Sequence, residues 1–185
     1  MRKIADAVEY SPTAIYAHFA DKEALMREIC HEDFGALAAV FLEIAECPDP
    51  VERIRQIGMA YGRFGLEHPS QYRLMFMTLR QRMEPTEKDL SVRGNPDEDG
   101  YAFLRQNVAQ AVVAGRFGLC SDPELIAQTF WAAVHGVVSL QIAKANDFWV
   151  QFCPFEDRIK LMVDGIIAGL SGEAHAPKAT KEGAR

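Results

Sequence analysis

The chain has 185 residues, 49% of them apolar, and a formal net charge of −6 at pH 7. This is one- or two-domain size with enough apolar content to bury a core, and the negative charge excludes a protein that coats nucleic acid non-specifically. It leaves room for a small basic footprint on an acidic body. No apolar run approaches the length of a membrane span, and the N-terminus has no apolar signal core, so the expectation is a cytoplasmic protein without membrane association. Cys30, Cys47, Cys120 and Cys153 form no CxxC pair and have no His at ligand spacing. They read as free thiols in a reducing compartment, with no metal and no disulfide.

Helical period dominates and predicts an all-α fold. Residues 2–25 read RKIADAVEYSPTAIYAHFADKEAL. Ile4, Ala5 and Val8 form the inner face of a first short helix, and a turn follows at Glu9 and Tyr10. Ser11 is placed to cap a second helix and Pro12 to occupy its first position. Ile15 and Phe19 lie four apart and face inward, which turns Thr13, Tyr16 and Ala17 outward. Two short helices with a polar and aromatic outer face suit a helix-turn-helix, or equally an ordinary helical hairpin. In the first case the helix amides and the Tyr16 hydroxyl can bond phosphate oxygens, and Lys22 can neutralise one.

Further along, Asp21 caps a long helix with Leu25, Ile29, Leu37, Phe41 and Ile44 as its stripe, ended by the CPDP stretch at Cys47 to Pro50. Val51, Ile54, Ile57, Tyr61 and Phe64 form the next stripe, broken at His68-Pro69. Ser70 is placed to cap a short helix carrying Leu74, Met75 and Phe76 toward Leu79. Residues 80–99 are crowded with charges, Pro85, Gly94, Asn95 and Pro96, and read as an exposed connection, mobile in part. Helix returns over 97–115 with Tyr101, Leu104, Val108, Ala111 and Val112 on one side, and Gly115 or Gly118 stops it. Ser121 or Asp122 caps the next helix, which carries Pro123 in its first turn and runs to about residue 145, apolar around most of its circumference. Pro154 opens a final helix through Ile159, Met162, Val163, Ile166, Ile167 and Leu170. The small, polar tail 172–185 is expected to be disordered. No catalytic motif of the GxSxG, HExxH, P-loop or GxGxxG kind is present, so neither an enzyme nor a cofactor is predicted.

The stretch 2–25 resembles the DNA-binding signature of the TetR family, R-x-I-A-x-A followed by S-x-x-x-x-Y-x-H-F-x-x-K-E-x-L. Here the matching residues are Arg2, Ile4, Ala5 and Ala7, then Ser11, Tyr16, His18, Phe19, Lys22, Glu23 and Leu25. The resemblance implies that Tyr16 and Lys22 contact phosphates and that His18 sits at the backbone or braces the helix end. It puts Pro12, Thr13 and Ala17 where the family reads bases. Two departures are Glu9, where the family usually has a turn glycine that relieves positive φ, and Ala14, where it often has Thr. The family also carries a further helix before this stretch, and here nothing precedes Met1. Ile4, Val8, Ile15, Phe19 and Leu25 are therefore expected to lose cover, and Met1 is expected to be internal to a longer natural protein. The alternative is a dimeric helical ligand-binding protein whose DNA binding is impaired by the absent first helix.

Trp131-Ala-Ala-Val-His135-Gly136 is similar to the Trp…His-Gly signature of one TetR C-terminal subfamily, and 68–76 looks like the segment between the fifth and sixth helices of such regulators. The resemblance implies a homodimer through the last two helices, reading operator DNA and released by a small hydrophobic or aromatic effector. The pocket linings it implies are Tyr61, Phe64, Met75, Phe76, Phe103, Asn107, Phe130, Trp131 and His135, with His135 and Asn107 placed to orient the ligand. Each of these also fits plain core packing. The expected organisation is a head with its connecting helix over 1–46, a ligand-binding and dimerisation domain over 47–171, and the tail.

Overall fold

The computed structural model describes residues 1–78 and 84–172. Leu79, the polar run 80–83 and the tail from 173 onward lie outside the described residues. Among the described residues the fold is all-helical. In chain order come α1 (Arg2–Ala7), α2 (Pro12–Tyr16), α3 (Lys22–Ile44), α4 (Pro50–Glu67) and α5 (Pro69–Tyr72). A π-helical turn, Arg73–Met77, continues α5, and α6 (Glu87–Val92), α7 (Gly100–Val113), α8 (Pro123–Lys144) and α9 (Phe155–Ser171) complete the order.

Local chemistry sets most boundaries. The Ser11 hydroxyl accepts from the Ala14 N–H at 3.1 Å and the Asp21 carboxylate from the Ala24 N–H at 2.7 Å. Asp49 caps α4 ahead of Pro50, and Asp122 caps α8 ahead of Pro123. Each cap satisfies an N–H that the helix itself cannot. At the end of α7, Gly115 has φ +66°, its N–H bonds Val112 and the Arg116 N–H bonds Ala111, so the helix closes in a Schellman motif. Glu9 holds the same kind of position after α1. Its φ is +59°, and the Tyr10 N–H reaches back to the Ala5 carbonyl at 3.0 Å.

Three expectations need correction. Ser70 caps nothing: Pro69 opens α5, and Ser70 is an exposed residue inside it. The stretch 80–99 is not simply a connection, because α6 forms inside it, fixed by a reciprocal capping box between Thr86 and Asp89. And α8, at 22 residues, is long and apolar enough to cross a membrane by length and composition, although it packs here as a body helix.

The core lies where α4, α7, α8 and α9 meet, with α3 laid across α4 and α7. Ile54, Ile57, Tyr61 and Phe64 of α4 face Phe130, Val134 and Val138 of α8 and Ile159, Val163 and Ile167 of α9. The close approach depends on glycines along one side of α4. A methyl group added at Gly62 would collide with Ile159 Cδ1, and one at Gly65 with Val138 Cγ1. Arg53, also on α4, ties α7 to this layer through Asn107 and Gln110 and holds the Cys47 carbonyl.

Candidate functional site

Between α3, α4, the π turn, α6, α7 and α8 lies a cavity of about 410 Å³. Its walls are apolar and rich in rings. Phe34, Leu37 and Phe41 come from α3, Ile57, Gly58 and Tyr61 from α4, Met75 and Phe76 from the π turn, Tyr101 and Leu104 from α7, and Phe130, Trp131 and Val134 from α8. Phe76 stands at the centre of the ring cluster, 5.4 Å from Phe34, 5.4 Å from Tyr61 and 6.2 Å from Trp131 between centroids. Tyr101 lies 5.8 Å from Trp131. The π turn adds a residue to one helical turn, and Met75 and Phe76, both within it, line the cavity.

The polar atoms of the ring wall are satisfied from within. Trp131 Nε1 donates to the Tyr61 hydroxyl at 3.2 Å. The Tyr72 hydroxyl lies 2.6 Å from His135 Nδ1 and that of Tyr61 lies 3.3 Å from it. Burial pushes the Tyr61 phenol up to about 12 and the Tyr72 phenol upward too, and it holds the His135 imidazole below its ordinary value. A neutral ring accepting at Nδ1 from Tyr72 agrees with all three shifts. The inner wall therefore offers surface more than charge. The ionisable groups gather on one side: Asp89, Arg93, Glu98 and Asp99 come from α6 and the segment leading into α7, and His31 of α3 bonds Asp89.

Of the residues singled out from sequence, Tyr61, Met75, Phe76, Phe130 and Trp131 line this cavity. Phe64, Phe103, Asn107 and His135 do not. Phe64 lies against His68, and Phe103 stacks on Phe41. Asn107 is held by Arg53 and donates to the Phe103 carbonyl at 2.8 Å. His135 stands behind the wall, bonded to the two tyrosines. The side-chain bonds of His135 and Asn107 run to Tyr61 and Tyr72 and to Arg53 and the Phe103 carbonyl, and neither residue is part of the cavity lining. The α3 contribution was missed as a cavity wall: Leu37 and Phe41 were read only as part of that helix's apolar stripe, and His31 and Phe34, which join them at helical spacing, were not read with them. The α6 contribution, Asp89 and Val92, was hidden by the polar composition around it.

At the other end of the molecule α1 and α2 pack together, with Ala5 buried between them and the turn. Thr13, Tyr16, Ala17, His18 and Lys22 are exposed, and Pro12 is half-buried at the first position of α2. Val8 is 51% exposed and Tyr10 67%, while Ile4, Ile15, Phe19 and Leu25 are half-covered. Among the described residues no cluster of His, Cys, Asp and Glu could hold a metal ion.

A helix-turn-helix head joined by one long helix to a helical body with a ring-lined cavity defines a ligand-binding transcriptional regulator. The comparisons with known proteins are specific. The model for bacterial regulatory proteins of the tetR family matches residues 1–29, and the model for the tetracyclin repressor-like C-terminal domain matches residues 54–164. The chain belongs to the TetR family of transcriptional regulators, with an N-terminal DNA-binding region and a C-terminal ligand-binding domain. Its fold is similar to that of a protein of unknown function from Rhodococcus sp. RHA1, at 22% identity and a TM-score of 0.72, over 92% of this chain and 84% of that one. It is also similar to a tetR-family regulatory protein from Rhodococcus RHA1, at 20% identity and a TM-score of 0.65, over 91% of this chain and 84% of that one. No curated protein matches.

Proposed function

We propose that the protein is a non-catalytic cytoplasmic repressor that holds operator DNA as a homodimer and lets go when a small apolar or aromatic effector fills the cavity. The observation that carries this reading is that α3 serves both ends. It starts directly after the head at Lys22, and its residues Phe34, Leu37 and Phe41 form one wall of the cavity. A ligand that favours one placement of that wall shifts the head with it, and differential affinity for the two placements is all the switch requires.

The volume and ring-rich lining suit a drug-sized apolar ligand. In the head, Tyr16 and Lys22 take phosphates, Thr13, Ala17 and Pro12 face the base edges, and His18 lies at the backbone. The partner face is formed by α8 and α9. Only 28% of the most apolar window of α8 is buried within the chain, Leu140 and Leu161 stand 53% and 75% exposed, and Gly136, Gly165 and Gly169 have open space at their Cβ positions. Such a surface is completed by a second copy.

Selection from a random duplex pool tests the reading. The expected product is a two-fold motif with half-sites about one helical turn apart. Binding to it should weaken steeply with salt, and Lys22→Ala should weaken it on every sequence alike and flatten the salt slope by about two units, one for each protomer. Enrichment of no motif, with weak binding to all sequences, would remove operator recognition and leave a ligand-binding dimer.

A further inference from the structure

No residue of α6 is buried, so this helix is not held by a packed apolar face. Its contacts are electrostatic, and they run to α3. Lys88 Nζ lies 2.8 Å from Glu28 Oε1, His31 Nε2 lies 2.8 Å from Asp89 Oδ1, and Arg27 Nη1 lies 3.5 Å from Asp89 Oδ2. Arg27 also donates to the Glu84 carbonyl at 3.3 Å. The Lys88 contact holds the Glu28 carboxyl below its ordinary value, and the Thr86 N–H, with His31 and Arg27, does the same for Asp89. The same helix lines the cavity through Asp89 and Val92.

We propose that α6 is an electrostatic clasp, closing one side of the cavity and fastening that closure to the first turns of α3 through Glu28–Lys88, Arg27–Asp89 and His31–Asp89. The inference rests on the cavity being the effector site and states how that site is regulated. Residues 27, 28 and 31 lie within ten positions of Lys22, where the head ends. A ligand entering on this side displaces α6 and so releases the part of α3 nearest the DNA. Exposed pairs are individually weak and screened by salt, which suits a closure that must open often. A packed apolar face would instead have to be exposed at each opening.

The test uses the full chain, the charge-reversed Lys88→Glu variant, and the exchanged pair Glu28→Lys with Lys88→Glu. Two readouts are independent: amide hydrogen exchange of residues 84–92 in the free protein, and the association rate of the neutral fluorophore N-phenyl-1-naphthylamine. Lys88→Glu is expected to speed both by about fivefold, the upper range for one exposed pair, and the exchanged pair to return both to within about twofold of the parent. Fluorophore binding should also raise exchange at residues 22–31 in the parent and not in Lys88→Glu. Rates that ignore Lys88→Glu, or change equally in both variants, overturn the clasp. An equal response at 22–31 with and without Lys88 overturns the link to α3. A parent that fails to take up the fluorophore overturns the effector cavity itself, and the gating role falls with it, whatever the exchange of 84–92 shows.

Discussion

Glu9 occupies a backbone position that suits glycine. At φ +59° its Cβ crowds the neighbouring carbonyl, and the fold pays for this because the turn between α1 and α2 must close there, with Tyr10 bonded back to Ala5. Replacing Glu9 by Gly relieves that strain at some cost in unfolded-chain entropy, for a net gain of about 0.5–1 kcal/mol. Urea denaturation of the two proteins measures it, and a lower midpoint for Glu9→Gly would mean that the glutamate side chain contributes more than its backbone strain costs. This residue was legible in the sequence as a departure from the family pattern, because a turn demands a conformation that residue type either tolerates or does not. His135 and Asn107 were not legible in the same way. Both are polar groups on apolar helices, a pattern that fits a ligand contact and a satisfied core group equally well. Their partners come from distant parts of the chain, Tyr72 and Arg53, which no local pattern announces.

At the scale of elements, boundaries written in caps were readable and faces were less so. Asp21 was read as a cap and Asp122 as one of two candidates with Ser121, because a carboxylate at the N-cap does a local job, whereas Asp49 was read only as part of the stretch that ends α3. The helix α6 carried the same announcement in Thr86 and Asp89, but it lacks a buried stripe, and periodicity is blind to a helix without one. The glycines of α4 were passed over for a related reason. Gly58, Gly62 and Gly65 interrupt an apolar stripe and read as gaps, when their function is to let α8 and α9 come close. Gly62→Ala should therefore destabilise the body by about 1–3 kcal/mol through overpacking against Ile159, even though alanine is the better helix former. Thermal unfolding followed by circular dichroism reads this, and a stabilised variant would show that the layers can part without loss.

For the whole molecule, the head, the long connecting helix and the ring-rich body were all foreseeable, since each has its own period or motif. The shape of the cavity was foreseeable only in part, because it is assembled from five α-helices and a π turn and requires the path of the chain. The excess apolar surface of α8 was visible from sequence as apolarity around most of the circumference, and the structure leaves much of it uncovered. In a dimer formed through that surface, the melting temperature should rise by about 2 °C for each tenfold increase in protein concentration. Leu161→Glu, which puts a charge at a 75%-exposed position on α9, should lower the melting temperature and abolish that dependence. A parent protein whose melting is indifferent to dilution would remove the stabilising homodimer from the account.

A helix finished only by another copy of itself makes folding a bimolecular event. The amount of folded dimer then follows the square of abundance at low copy number, so a few stray molecules count for little and a modest rise in synthesis counts for much. Under the proposed dimer, the uncovered face of α8 gives the regulator a dosage threshold that no feature of its DNA-binding head needs to supply.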